Sequence, residues 1–200
     1  MNRYILDGLL YLSAFIIGGI PTGYLVSYAS GMGDIRKHGS GNIGASNMAR
    51  IGILNIGLFF GLSGFFIVFL LDAGKAYLFL KLMSSLMNLS DKNLIIASLM
   101  LLWGNCYSLF LQFNGGKGVS TYLGIISFFS FSITLKACIL WLIIWLLFRV
   151  PAYASLCTVT IITIYSFYFF TLPLQIICLF GVATIFIRHT SNITTFCIKI

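Results

Sequence analysis

Long apolar runs separated by short polar segments make up most of the chain. The runs cover 5–29, 51–71, 94–113, 119–135, 137–148, 152–172 and 174–187. Crossing the hydrocarbon core of a bilayer takes about 20 apolar residues of α-helix, and a helix satisfies its backbone polar groups within its own segment, as lipid requires. The pattern therefore predicts an all-α, polytopic integral membrane protein with about seven transmembrane helices. Five or six are the alternatives, because 137–148 is short for a full crossing and 119–148 also reads as one long tilted helix. No linker, low-complexity stretch or repeat of fixed period interrupts the runs, so residues 1–200 are expected to form a single membrane-embedded domain.

Composition agrees: 60% of the residues are hydrophobic and 8% are charged, against about 25% charged in an average soluble domain. Arg3 before the first run, with Ala29 and Ser30 after it, could pass for a signal peptide. Six further runs make a retained first helix the expectation. The cysteines, Cys106, Cys138, Cys157, Cys178 and Cys197, are too widely spaced for a C-x-x-C pair and mostly lie in apolar runs, so they read as packing residues.

Seven spans with the N-terminus outside put Arg36, Lys37, Arg50, Lys117, Arg149, Arg188 and Lys199 on one face with Asp34. The other face collects Arg3, Lys75, Lys81, Lys92 and Lys136 with Asp7, Asp72 and Asp91. Seven basic residues against five assign the first face, and the C-terminus with it, to the cytoplasm. Every polar, glycine-rich loop falls on that face.

Three loops can carry chemistry. The first runs from Ser30 to Arg50 and packs Gly39, Ser40, Gly41, Asn42, Gly44, Ser46 and Asn47 together. Glycines let successive backbone N–H groups converge on an anion, and Arg50 can add a bidentate clamp. Gly39, Gly41 and Gly44 satisfy G-x-G-x-x-G, but a transmembrane helix precedes them where a dinucleotide site needs a strand. The second loop is FNGGKG, 113–118, with Lys117 among Gly115, Gly116 and Gly118; Leu111 and Gly118 exclude a P-loop. A tight turn with a lysine anchored at the lipid interface is the equal alternative. The third is IRHTSNI, 187–193, where Arg188, His189 and Asn192 follow the last run; basic residues at a helix C-terminus are also favoured by the dipole alone. Ser155, in YAS after Arg149, completes the set, although a serine in a membrane helix usually bonds backbone.

In this order, GSGNIGASN with Arg50, then FNGGKGVST, then IRHTSNI resemble the three motifs of the acyl-phosphate:glycerol-3-phosphate acyltransferase family, the PlsY type. IPTGYLV from Ile20 and the Ser155–Leu156 pair match it too, so the resemblance covers nearly the whole chain. It implies a bacterial inner-membrane enzyme with its motifs at the cytoplasmic side. The implied reaction moves an acyl chain from acyl phosphate to glycerol 3-phosphate, giving lysophosphatidic acid and phosphate, the first step of membrane phospholipid synthesis. By matching positions it assigns Ser40, Gly41, Asn42, Gly44, Asn47 and Arg50 to a phosphate loop. Lys117, Gly115, Gly116, Gly118, Ser155 and Arg188 go to further substrate contacts, and His189 with Asn192 to the glycerol phosphate. His189, Asn192, Lys117 and Arg50 form the catalytic group. The proton of the attacking hydroxyl goes to His189 or to a substrate phosphate, and no acyl-enzyme is expected because acyl phosphate is already activated.

No acidic residue lies in the motifs and the chain contains no glutamate, so neither a carboxylate-held divalent metal nor a cofactor is expected. The expected partners are the two phosphorylated substrates and membrane lipids, with no nucleic acid; the oligomeric state stays open, a monomer included. The H-x-x-x-x-D acyltransferases do not fit, since Asn42 and Ile43 follow His38 at that distance and Ile193 and Thr194 follow His189. The chain departs from the family in having Asn105 where a histidine usually follows Gly104, Thr195 in place of an arginine, and no Gly-x-Glu tail before Ile200. Asparagine can position a partner but cannot take a proton. An inactive relative is one alternative. A small transporter of phosphorylated anions is another, and it would show paired half-repeats, of which the sequence has none.

Overall fold

The computed structural model describes residues 3–197, with side chains through Thr194. Among these the chain is helical throughout: α1 (Arg3–Gly19), α2 (Thr22–Ala29), α3 (Ala45–Asn55), α4 (Leu58–Leu86), α5 (Asp91–Cys106), α6 (Val119–Phe129), α7 (Phe131–Phe148), α8 (Pro151–Phe169), α9 (Leu172–Arg188) and α10 (Thr190–Cys197). Short 3-10 turns lie at Ile35–Lys37 and Leu109–Leu111.

Among the described residues, five segments are long and apolar enough to cross a membrane: Arg3–Ala29, Leu58–Leu86, Asp91–Leu111, Phe131–Phe148 and Pro151–Phe169. Val119–Phe129 and Leu172–Arg188 are shorter apolar helices. The outer surface is apolar, with Phe59, Leu70, Leu147 and Tyr168 largely exposed, while Asp72, Asn105 and His189 are buried. That inversion of the soluble pattern suits a lipid surround.

Several boundaries differ from the sequence expectation. The first run breaks at Pro21, which lacks the N–H a helix interior needs. The run 51–71 splits at Gly57, whose φ of 137° suits glycine alone, and its second part continues as α4 through Asp72, Lys75 and Lys81 to Leu86. The sequence pattern ends the run at Leu71 and counts these three with the outer face; a helix 29 residues long carries them. The fourth and fifth runs divide at Ser130, not at Lys136, and are not one tilted helix. Elsewhere the punctuation acts as sequence rules predict: Ser90 and Asn93 form a capping box on α5, and prolines open α8 and α9.

Glycines let the helices touch through their backbones, as small residues do in membranes. A Cβ on Gly18 would lie 2.1 Å from the Leu101 carbonyl oxygen, and one on Gly104 equally close to that of Phe15, so α1 and α5 cross in direct contact. That crossing fixes the end of α5, from which the second loop departs.

Candidate active site

The first loop is shaped by Asn47. This buried side chain accepts from the Ser40 N–H at 2.8 Å and donates to the carbonyls of Asn42 at 2.8 Å and His38 at 3.1 Å. A weaker bond reaches Ile35 at 3.4 Å. The amide expected to hold phosphate is thus occupied in folding the loop around itself. Gly39 and Gly41 turn the chain with φ of 61° and 71°, and Gly44 ends the loop as the N-cap of α3. Arg50, in the second turn of α3, is exposed and makes no hydrogen bond or ion pair among the described residues.

The second loop is clamped from two sides. The Gly116 N–H donates to the Asn105 carbonyl at 2.8 Å. From the other side, the Arg188 guanidinium donates to the carbonyls of Gly115 at 3.1 Å and Gly116 at 3.2 Å while lying over the Tyr107 ring. A Cβ on Gly115 would fall 2.2 Å from the Asn105 carbonyl oxygen, and one on Gly118 2.6 Å from Leu102. The glycines therefore serve close packing against α5 whatever they offer an anion. Arg188, assigned to substrate, braces the loop.

The clamp leaves Lys117 half-buried, its ammonium donating to the side-chain oxygen of Asn192 on α10. Burial lowers the Lys117 pKa, and the nearby Arg188 and Arg50 lower it further. His189, 2% exposed at the end of α9, holds the Ile185 carbonyl through Nδ1 at 2.8 Å. A carbonyl can only accept, so Nδ1 carries the proton and a neutral ring keeps the Nε2 lone pair. Burial pushes the ring down to about 4, against the pull of that bond and with Lys117 and Arg188 adding to the shift.

These groups border one cavity of about 390 Å³. Ser40, Asn42, Asn47, Arg50, Lys117, His189 and Asn192 line its polar end. Phe65, Phe66 and Phe69 of α4, Leu123 of α6, and Ile139 and Leu142 of α7 line the apolar remainder. The N-termini of three helices open on it, through Gly44 to Ser46 for α3, Gly118 to Ser120 for α6 and Val150 to Ala152 for α8. A helix N-terminus offers unpaired N–H groups and the positive end of its dipole, so the polar end suits a phosphorylated group. Gly116 and Gly118 also line this cavity, whereas Gly41, Gly115 and Arg188 border a second, open recess with Arg36. Ser40, Asn42 and Lys117 belong to both. Ser155 is present, but its hydroxyl donates to the Pro151 carbonyl at 2.9 Å and accepts from the Trp141 indole at 3.0 Å. Among the described residues no group of His, Cys, Asp or Glu could hold a metal ion. Thr195 and Cys197 lie beyond the described side chains, and Ile200 outside the described residues altogether; the other cysteines are free.

Sequence reasoning noted Asn105 as a departure but missed the polar group it forms with Asp72 beneath the second loop. Asp72 and Asn105 line the cavity. One carboxylate oxygen of Asp72 accepts from Lys75 at 2.6 Å, Thr22 at 2.8 Å and Asn105 at 3.2 Å. An ionisable pair at D-x-x-K inside an apolar helix was the available signal; ending the run at Leu71 concealed it. Trp141, which lines the cavity and donates to Ser155, carried no sequence signal.

The glycerol-3-phosphate acyltransferase family profile matches residues 8–198. The glycerol-3-phosphate acyltransferase of Jannaschia sp. (strain CCS1) is 35% identical over 191 residues, covering 95% of this chain and 89% of its own. The protein of the same name from Mesorhizobium japonicum is 37% identical over 182 residues, covering 90% and 87%. The crystal structure of PlsY (YgiH), an integral membrane glycerol 3-phosphate acyltransferase, in its glycerol 3-phosphate form superposes with a TM-score of 0.83 at 28% identity, over 96% of this chain and 92% of that one. Its lysophosphatidic acid form gives 0.82 at 27% identity with the same coverage.

Proposed function

The chain belongs to the glycerol-3-phosphate acyltransferase family, and from that premise we propose how its cavity carries out the transfer. It is an integral membrane enzyme that acylates glycerol 3-phosphate to lysophosphatidic acid. The donor is acyl phosphate, taken up from the bilayer, with its chain against Phe65, Phe69, Leu123 and Leu142 and its phosphate at the polar end. The observation that carries this reading is the convergence on one cavity of Lys117, Arg50, His189, Asn192 and the N-termini of α3, α6 and α8, with an apolar wall directly beside them.

The chemistry follows from the charges. A hydroxyl oxygen of glycerol 3-phosphate bonds to the acyl carbonyl carbon, whose oxygen becomes an oxyanion. The carbon–oxygen bond to phosphate then breaks and inorganic phosphate leaves. Lys117 and Arg50 balance the phosphate charge and the α6 N-terminus faces the developing oxyanion. Asn192, held by Lys117, orients the attacking hydroxyl. The hydroxyl proton passes to His189 Nε2 or to the departing phosphate. Ser40, Gly41, Asn42, Gly44 and Asn47 form the phosphate loop, with Asn47 acting through the loop's shape; Gly115, Gly116, Gly118, Ser155 and Arg188 fix the opposite wall. The enzyme works without a metal.

We place it in the bacterial inner membrane with the cavity opening to the cytoplasm and the N-terminus outside, in seven passes by α1–α2, α4, α5, α6, α7, α8 and α9. The bias of basic residues supports that side, the more so because Lys75 is buried in α4 and leaves the opposing count.

The test is phosphate release by the purified protein in detergent from palmitoyl phosphate and glycerol 3-phosphate. Release that requires both substrates and falls by a factor on the order of 100 in Lys117→Ala and in Arg50→Ala supports the reading. No release from folded wild type overturns it.

A further inference from the structure

Asp72 lies in the middle of α4 and its carboxylate is 8% exposed, in a chain with only four acidic residues. Burying a charged pair costs several kcal/mol per ion in desolvation, which the attraction between the ions only partly offsets. Lys75 neutralises it and also donates to the Ile20 carbonyl at 2.8 Å, where Pro21 has ended α1. The same Asp72 oxygen takes bonds from Thr22 on α2 and from Asn105 near the end of α5. One carboxylate thus ties together the α1–α2 break, α4 and the end of α5.

The side of Asn105 away from Asp72 meets the second loop. Its backbone carbonyl, one of the last in α5 and without a partner in the helix, receives the Gly116 N–H at 2.8 Å. Its side-chain oxygen stands 3.0 Å from where a Gly116 Cβ would be. Gly116 immediately precedes Lys117. The chain of contacts therefore runs from Asp72 through Asn105 and Gly116 to the ammonium bonded to Asn192.

We propose that Asp72 and Asn105 are positioning residues, which set the height and tilt of the 115–118 loop and so the place of the Lys117 ammonium in the cavity. The proposal rests on the acyl-transfer reading of that cavity. Three donors, one of them an ammonium, meet on one Asp72 oxygen. Its charge orients the Asn105 amide. A loop displaced by a fraction of an ångström still binds anions by charge but no longer aligns them, so the effect falls on turnover and not on affinity.

The test compares Asn105→Ala, Asn105→His and Asp72→Asn by kcat and by KM for each substrate. Histidine presents a ring Nδ1–H where asparagine has its Nδ2–H, so it can keep the bond to Asp72. Asn105→Ala is expected to lose about tenfold or more in kcat, with both KM values within about twofold, while Asn105→His stays within about threefold of wild type. In a Lys117→Ala background, Asn105→Ala causes no further loss, because its effect runs through Lys117. Asp72→Asn keeps the shape and an acceptor oxygen, and serves as the second variant should Asn105→Ala not fold; it lowers kcat alone. Unchanged kcat in Asn105→Ala, an equal loss in Asn105→His, or losses that add to Lys117→Ala overturn the proposal. Amide hydrogen exchange at Gly116, faster in Asn105→Ala than in wild type, reads the loop independently of turnover. Unaltered exchange rejects the positioning role even if wild type transfers no acyl group, an outcome that would separately sink the acyl-transfer reading.

Discussion

The Lys117 ammonium donates to the side-chain oxygen of Asn192, a residue 75 positions later in the chain. The bond links the second loop to α10 at the cavity wall, and it joins a charge able to hold phosphate to an amide able to orient a hydroxyl. Neither residue is placed without its neighbours, since Arg188 and Asn105 hold the loop on one side and the end of α9 carries α10 on the other.

Removing that bond from either end should be costly and non-additive. Lys117→Ala and Asn192→Ala are each expected to reduce kcat/KM by a factor on the order of 100, the worth of a charge-assisted hydrogen bond of about 2–3 kcal/mol. The double variant should be scarcely worse than Lys117→Ala. Steady-state kinetics of the three variants check this, and fully additive losses would show that the two groups act separately.

Asn47 should matter to stability as much as to activity. Its amide satisfies the Ser40 N–H and the carbonyls of His38 and Asn42 from a buried position. Asn47→Ala is expected to cost about 3 kcal/mol, at roughly 1 kcal/mol per bond, and to speed amide exchange at Ser40. Thermal unfolding in detergent measures the first and hydrogen exchange the second.

Glycine substitutions should divide by location. Gly115→Ala places a Cβ 2.2 Å from the Asn105 carbonyl oxygen, so the loop must move away from α5. A loss of about tenfold or more in kcat is expected. Gly74→Ala, where no atom beyond the neighbouring backbone of its own helix lies within 4 Å of the added carbon, should leave activity unchanged. Assaying the pair under one set of conditions separates the local contact from a general effect of alanine.

The pH dependence of stability should carry the mark of His189. Its ring titrates at about 4 in the folded protein against an ordinary 6.5. Between those values the unfolded state binds more protons, so the stability present above about pH 6.5 is lost as pH falls toward 4. Asp34, held down to about 2 by Arg36 from an ordinary 3.8, contributes only in a more acidic window. Melting temperature should therefore decline from pH 6.5 to pH 4 in wild type and decline less in His189→Asn. In the same range the free enzyme's kcat/KM should stay level until His189 takes a proton near the lower end. A wild-type melting profile flat over this interval would contradict a neutral, buried ring.

Part of this molecule was legible in its residues. Pro21, Gly57 and Ser90 punctuate the helices through their own backbone chemistry, yet Pro21 and Gly57 lie inside runs that hydropathy alone reads as continuous. Asn47 stands out in the sequence, but a side-chain amide bonds backbone and phosphate equally well, and only the fold of residues 35–42 shows that it meets the carbonyls of His38 and Asn42. Asp72 went to the wrong environment for a related reason: a hydropathy pattern ends a run at a charge, whereas Lys75 one turn on allows the helix to continue.

What the sequence determined by itself was solvent and local chemistry. Long apolar runs dictate a bilayer, and a helix satisfies its backbone polar groups there within its own segment. Glycines beside asparagine, lysine, arginine and histidine mark the loops able to meet phosphate, since those properties belong to neighbouring residues. The tertiary structure alone decided which of these groups share a cavity. Bringing Lys117 to Asn192, Asn105 to Asp72 and three helix N-termini to one apolar wall depends on where α1, α4, α5 and α9 cross. Those crossings are set by close packing between residues far apart in the chain, as at Gly18 and Gly104, and no run of adjacent positions encodes them.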